Sequence, residues 1–306
     1  MSYKAFYELN DKPFQLSPDP EYFFPSAVHK EVMRHLLYSI STEEGFVEIT
    51  GAPGMGKTIT VRSLLMQIGE EVQVAMIVDP KISPQELVDT VARDFGLQVE
   101  KQANELTLRS LQKHLIPLYE QNVVSVIIID EAQNLSDETL EQLCLISNIE
   151  TEKQKLVKVI LVGQLELSEN LRRPELLKIY QRITIRYRLR PLSLTDTIAY
   201  IQHRIRVAGG SGSTQPWFSE KIYRRIFQYS NGLPRLINII CDRSLMVAYS
   251  EQSRLIKHSH VKKALKSFMD EAAVTRYYKK ARLLRNGILL GLFVIICLLL
   301  FVIIFK

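Results

Sequence analysis

The sequence is poor in cysteine. Only Cys144, Cys241 and Cys297 occur among 306 residues, they lie far apart, and no CxxC pair or histidine spacing accompanies them. Three widely separated cysteines exclude the disulfide framework of small secreted proteins and give no indication of a zinc site. We therefore predict reduced, structural thiols, as in a cytosolic protein.

Residues 1–275 also lack an excess of charge. Six of the 39 Lys and Arg residues lie after Thr275 with no acidic residue among them, so the preceding part holds 33 basic and 33 acidic residues. The net charge of +6 therefore belongs to the C-terminal segment. A nucleic-acid-binding body would carry a basic surface of its own, so this distribution argues against nucleic acid as a partner.

The third absence is that of any charge from Ile288 to Phe305. Eighteen residues at a helical rise of ~1.5 Å span ~27 Å, close to the hydrocarbon core of a bilayer. The alternative, a buried C-terminal helix, is disfavoured because the segment has no polar face. We predict a basic juxtamembrane helix over 272–287 and a transmembrane helix over 288–305. The basic flank places the body in the cytoplasm, with a single-pass C-terminal anchor in the membrane.

A glycine-rich loop follows the predicted strand 46–50. The loop matches G-x-x-x-x-G-K-[ST], and a helical pattern follows it, which is the context in which this motif binds phosphates. Lys57 is expected to reach the β- and γ-phosphates of a nucleotide, and Thr58 to ligate Mg²⁺. The predicted nucleotide-binding residues of the loop are Gly51, Ala52, Pro53, Gly54, Met55, Gly56, Lys57 and Thr58.

Polar residues end two further predicted strands. The apolar run 123–129 leads directly into Asp130 and Glu131, and the run 156–163 leads into Gln164. Acidic side chains at the end of a buried strand are costly unless they face a cation or water. Asp130 suits the Mg²⁺ shell, and Glu131 suits a general base that polarises a water molecule. Gln164 could sense a γ-phosphate or orient that water.

The chain alternates strands and helices up to about residue 192 and is all-helical afterwards. This pattern predicts an α/β fold with a parallel five-stranded sheet and a separate helical lid. Our predicted domains are an N-terminal linker and helix near the nucleotide (1–45), a nucleotide-binding core (46–192) and a lid (193–271). Arg235 is expected on the first turn of a lid helix. The helix dipole disfavours a cation at this end, so a nearby anion such as phosphate would explain the arginine.

These features in this order resemble an AAA+ P-loop ATPase. Several segments are similar to those of the ExeA/GspA family of secretion-associated ATPases, namely Phe14–Pro20, His29–Ile40, Gly45–Gly51, Gly163–Leu167, Tyr180–Leu192 and Gly232–Asp242. Relatives of this family include the pilus protein MshM and ATPases of polysaccharide export. The resemblance covers about residues 3–270. It implies ATP and Mg²⁺ as cofactors and ATP hydrolysis to ADP and phosphate as the activity.

The resemblance also implies roles for single residues. Arg235 would be the lid arginine that reaches the γ-phosphate of its own subunit, and Gln164 would be the first sensor. Arg182 stands where the family keeps the arginine that acts on a neighbouring subunit, with Arg172 and Arg173 as rivals. Such an arginine implies a homo-oligomer, a ring or partial ring. Pro18–Pro20 would lie near the adenine.

Three departures from the family pattern are visible. Family glycine loops often carry an acidic residue where this sequence has Ala52 and Pro53. Asp79 stands where AAA+ proteins often have an amide that restrains the catalytic glutamate. The sequence continues past the predicted membrane helix by Lys306 alone, whereas ExeA-type proteins continue into a peptidoglycan-binding domain, so the cell-wall role is not expected.

The predicted function is that of an ATPase anchored in the bacterial inner membrane. It would serve the assembly or operation of a secretion, pilus or polysaccharide export system, with inner-membrane proteins as partners. The alternatives are a DNA-linked regulator of the transposition type and an ATP-gated switch or scaffold with little turnover.

Overall fold

The computed structural model describes residues 3–42, 45–98, 104–151, 154–209 and 217–267. Five strands form one sheet in the order β2-β3-β4-β1-β5, and every neighbouring pair is parallel. The predicted parallel five-stranded α/β core is therefore confirmed. The strands are β1 (Phe46–Thr50), β2 (Val72–Ile77), β3 (Val124–Ile129), β4 (Val157–Gly163) and β5 (Ile183–Arg188).

Helices cover both faces of this sheet. Because successive side chains of a strand point to opposite faces, each buried strand feeds two apolar clusters. The helices are α1 (Tyr3–Phe6), α2 (Ala27–Ser41), α3 (Lys57–Leu65), α4 (Pro84–Asp94), α5 (Asn104–Glu120), α6 (Asp137–Ser147), α7 (Leu165–Leu171), α8 (Leu177–Arg182), α9 (Leu194–Val207), α10 (Glu220–Ser230) and α11 (Pro234–Ser250). Ile127 and Ile129 of β3 pack with α4, α5 and α6, whereas Val126 and Ile128 pack with α2 and α3.

The lid has an apolar cluster of its own. Helices α9, α10 and α11 and a further helical segment at 258–267 surround it. Aromatic side chains from the start of the chain complete this cluster, namely Tyr3, Tyr7, Phe14 and Tyr22. The N-terminal segment therefore packs on the lid, while α2, which follows it, packs on the sheet.

One predicted helix is divided in two. The pattern over 166–179 predicts a continuous helix, but α7 ends at Leu171 and α8 begins at Leu177. Pro174 starts a short 3-10 turn between them. Proline has no N–H to continue the helical hydrogen bonds, which is why the chain breaks at this point.

Within the described ranges, no helix combines the length and apolar character needed to cross a membrane. The predicted juxtamembrane helix 272–287 and transmembrane helix 288–305 lie outside those ranges. Cys144 and Cys241, the two cysteines inside them, are free thiols.

Candidate nucleotide site

The glycine-rich loop connects the central strand β1 to α3. Gly54 and Gly56 adopt positive φ angles of 81° and 93°, a region that favours glycine. Gly56 precedes the first residue of α3, and no side chain caps this helix. The first N–H groups of α3 are therefore available to an anion, as the motif predicts.

Lys57 is the first residue of α3 and is buried. Its Nζ donates a hydrogen bond to the carbonyl oxygen of Gly51 at 3.1 Å, which holds the side chain folded over the loop. Burial lowers the pKa of the Lys57 ammonium, and the carboxylates of Glu131, Asp130 and Glu166 oppose this effect. A buried ammonium beside free helical N–H groups suits the binding of phosphate oxygens.

Thr58 and Asp130 meet although they lie on separate elements. The Thr58 hydroxyl donates to Asp130 Oδ2 at 2.6 Å, and the other carboxylate oxygen accepts from the Glu131 N–H at 2.8 Å. Asp130 is only 2% exposed. A hydroxyl and a carboxylate are hard oxygen ligands, which fit Mg²⁺ when phosphates and water complete its octahedron. No cluster of three or more His, Cys, Asp or Glu with metal-binding geometry occurs in the described part of the chain.

Glu131 adopts a left-handed conformation with φ of 51° just beyond β3. Its Oε2 accepts hydrogen bonds from Gln133 Nε2 at 2.6 Å and from Gln164 Nε2 at 3.2 Å. Burial alone would raise the pKa of the Glu131 carboxyl. The two amide hydrogen bonds and the charge of Lys57 outweigh burial, so the pKa lies below its ordinary value. A carboxylate that is ionised and held in place has the properties of a base.

Asp79, which stands where AAA+ proteins often have a restraining amide, makes a local contact instead. Asp79 is exposed and its Oδ1 accepts from the backbone N–H of Lys81 at 3.3 Å. The amides on Glu131 come instead from Gln164, which the sequence analysis identified, and from Gln133, which it missed. The sequence feature that could have identified Gln133 is its position two residues after Glu131, directly following the acidic pair at the end of β3.

The loop, Glu131 and Gln164 line one cavity of about 420 Å³ between core, lid and N-terminal segment. This volume is that of a typical ligand pocket. Arg235 lines the cavity from the first turn of α11, and its backbone N–H donates to the Gly54 carbonyl at 3.2 Å. Pro18 of the N-terminal segment lines it as well, together with Gln15, Leu16, Ser17, Tyr22, Phe23 and Phe24.

Two further polar residues of this cavity wall were not predicted. His29 is buried, bonds to the Ser26 hydroxyl at 2.7 Å and lies close to Gly56. Arg204 of the lid lines the cavity with its guanidinium 4.8 Å from the centre of the Tyr22 ring. Neither belongs to a short motif, so only the folded chain brings them to the site.

The three candidate trans-acting arginines all lie outside this cavity. Arg182 ends α8 and donates to the Ser147 hydroxyl at 3.3 Å. Arg173 forms an ion pair with Asp137, and the Arg172 guanidinium lies 5.7 Å from the centre of the Tyr180 ring. A residue that acts on a neighbour's nucleotide must lie away from its own, so all three positions satisfy this requirement.

Comparison with known proteins supports the fold. Residues 40–171 match the AAA domain family. Cdc6p of Pyrobaculum aerophilum superposes with a TM-score of 0.60 at 20% identity, over 81% of this chain and 71% of that one. A structure of Drosophila ORC bound to DNA superposes with a TM-score of 0.63 at 16% identity, over 87% and 66% of the two chains. At these identities the two superpositions show a shared fold alone.

A curated relative is much closer in sequence. General secretion pathway protein A of Aeromonas hydrophila is 40% identical over 260 residues, which is 85% of this chain and 47% of that protein. The chain therefore spans about half the length of this relative. On these findings the chain contains an AAA domain and is a homologue of general secretion pathway protein A over 85% of its own length.

Proposed function

We propose that this protein is a Mg²⁺-dependent ATPase. The observation that carries the proposal is the single cavity that collects the phosphate loop, Glu131, Gln164 and Arg235 from four separate parts of the chain. The loop N–H groups and Lys57 would bind the phosphates. Thr58 and Asp130 would hold Mg²⁺, which would neutralise phosphate charge.

The remaining groups have roles in the transfer of a proton and in positioning. Glu131 would accept a proton from the attacking water, because two amide donors hold its carboxylate in place at the end of β3. Gln164 donates to the same carboxylate and lies at the end of β4, so it can orient that water or contact the γ-phosphate. Arg235 would add positive charge from the lid side.

The lid and the phosphate loop are directly joined. The hydrogen bond from the Arg235 N–H to the Gly54 carbonyl places the start of α11 against the loop. A β-carbon on Gly54 would lie 2.5 Å from Arg235 Cβ, so this approach requires glycine. Binding and release of the γ-phosphate would therefore change how the lid packs on the core, and this motion is what the ATPase would pass to its partners.

The biological setting we propose is a bacterial secretion, pilus or polysaccharide export system. The similarity to general secretion pathway protein A supports it. In this proposal the protein works as a homo-oligomer on the cytoplasmic side of the inner membrane, with 288–305 as its anchor and inner-membrane proteins as partners.

ATP turnover by the full chain in lipid vesicles tests the central proposal. We expect Mg²⁺-dependent release of phosphate, and a loss of ~100-fold or more in Glu131→Gln with ATP binding retained. Glu141→Gln, on the exposed surface of α6, is the matched control and should keep wild-type turnover. ATP binding without turnover in the wild type would favour an ATP-gated switch, and salt-sensitive binding of DNA would favour the DNA-linked alternative.

A further inference from the structure

Gln133 is bonded at both ends of its amide group. Its Nε2 donates to Glu131 Oε2 at 2.6 Å, and its Oε1 accepts from the backbone N–H of Gln164 at 2.9 Å. Gln164 closes the arrangement, because its own side-chain amide donates to the same Oε2 at 3.2 Å. Glu131, Gln133 and Gln164, which we call the amide bracket, thus form a closed set of three hydrogen bonds at the ends of β3 and β4.

The backbone conformations after β3 and at the end of β4 permit these three hydrogen bonds. The left-handed conformation of Glu131 and the 3-10 turn Ala132–Asn134 fold the chain back, so that Gln133 faces the residue two positions before it. On the β4 side, a β-carbon on Gly163 would lie 2.9 Å from Gln133 Oε1. The amide of Gln133 can reach the Gln164 N–H only because residue 163 is glycine.

The hydrogen bonds of the amide bracket involve only one of the two carboxylate oxygens of Glu131. Both amides donate to Oε2, and Oε1 has no hydrogen-bond partner among the residues that the structure describes. Charged groups also act on this carboxylate: Lys57 of α3 favours its ionised form. Asp130 precedes it in the chain, and Glu166 of α7 and Arg235 of α11 lie on the adjoining elements. A carboxylate with one oxygen fixed and the other free is oriented to receive a proton.

We infer that Gln133 is a positioning residue for the base, which fixes the Glu131 carboxylate and links its position to that of Gln164. The inference rests on the proposed ATPase function. If Gln164 moves on contact with a γ-phosphate, the Gln133 amide carries that movement to Glu131 through the hydrogen bond to the Gln164 N–H. The opposite role, a restraint that keeps the base inactive, predicts faster turnover when Gln133 is lost.

Two variants of the full chain separate the two bonds of this amide. Gln133→Leu removes both. Gln133→Glu keeps the oxygen that accepts from Gln164 but brings a second carboxylate to Glu131. Gln73→Leu is the matched control, since Gln73 donates to the Ser125 hydroxyl at 2.6 Å on β2 and β3, away from the cavity.

For Gln133→Leu we expect kcat to fall roughly 10- to 100-fold, part of the ~10²–10⁴ that a positioned base supplies, with KM for ATP nearly unchanged. Gln133→Glu should lower kcat at least as much, because it replaces the donor to Glu131 by a second carboxylate that repels it. A kcat equal to that of Gln73→Leu, or higher than wild type, would overturn the inference.

A measurement without turnover keeps the inference separate from the ATPase proposal. Exchange of the Gln164 backbone amide hydrogen for deuterium is followed by mass spectrometry in the full chain without nucleotide. We expect faster exchange in Gln133→Leu than in wild type, because this N–H loses its acceptor, and unchanged exchange in Gln73→Leu. Unchanged exchange in Gln133→Leu would refute the inference even if ATP is hydrolysed, whereas faster exchange would support it even if ATP is not.

Discussion

The Thr58 hydroxyl shows how much of the site depends on single atoms. It bonds to Asp130 across 72 positions of sequence and joins the start of α3 to the end of β3. Both oxygens are hard ligands, and the proposed Mg²⁺ would lie against them. The methyl group of Thr58 has no such role, so the hydroxyl alone should matter for the metal.

Thr58→Val, which replaces this hydroxyl by a methyl group, tests that assignment. We expect ATP turnover to fall at least ~10-fold at low Mg²⁺ and to recover in part at high Mg²⁺, because one ligand of the metal is lost. Binding of ADP in the presence of a chelator should change little, since it needs no metal. Thr58→Ser should behave like wild type. Equal Mg²⁺ dependence in Thr58→Val and wild type would exclude Thr58 as a ligand.

At this scale, the sequence predicts residues that belong to a motif. The loop residues, Asp130 and Glu131 have fixed spacing within contiguous stretches, and Gln164 ends a strand that must lie beside β3 or β1. Gln133 and His29 could not be predicted in the same way. Their contacts depend on a left-handed residue, a 3-10 turn and the packing of α2, none of which follows from spacing alone.

Among the elements, the joint between core and lid is held by backbone atoms. The Leu192 N–H donates to the Gly232 carbonyl at 3.0 Å, just before α9 and just before α11 begin. Gly232 has a φ of 72°, and a β-carbon there would lie 2.1 Å from the Leu192 carbonyl oxygen. The lid can approach the core in this way only if position 232 has no side chain.

Gly232→Ala should therefore destabilise the protein strongly. Gly96→Ala is the matched control, because Gly96 has a φ of 88° but nothing within 4 Å of an added β-carbon. The control should cost only the ~1–2 kcal/mol of a left-handed alanine. Gly232→Ala adds a backbone clash and should lower the midpoint of thermal unfolding clearly further. Equal midpoints for the two variants would show that the joint can relax.

The elements themselves were largely predictable, since apolar runs that end in polar residues identify buried parallel strands. The order of strands and helices also predicts a division into core and lid. The partner of the N-terminal segment was not predictable. Tyr3 and Tyr7 have the i, i+4 spacing of a helical face, but that spacing does not indicate which part of the protein the face packs on.

At the scale of the whole molecule, the position of Arg182 bears on whether copies of the chain work together. The next residue, Ile183, pairs with Phe46 at the start of β1, whereas the phosphate loop follows the end of β1. Arg182 thus lies at the end of the strands opposite to the phosphate loop of its own chain and cannot serve that site. If it acts in catalysis, the site it completes belongs to a neighbouring copy, and a heterologous contact of that kind generates rings or open assemblies.

Mixing two inactive variants of the full chain in vesicles tests this directly. Glu131→Gln lacks a base but still supplies Arg182, and Arg182→Ala has an intact cavity but lacks the arginine, which can be worth ~10³ in rate. In an equal mixture, about a quarter of the contacts in a head-to-tail assembly pair a competent cavity with a competent arginine, so turnover should reappear.

Two controls accompany this mixture. Glu131→Gln mixed with Asp130→Asn should stay inactive, because both variants lack a competent nucleotide site. Lys178→Ala, on the exposed side of α8, should be active alone. If Arg182→Ala is inactive but is not rescued in the mixture, its arginine does not act between subunits; if it is fully active alone, Arg172→Ala and Arg173→Ala become the variants to mix.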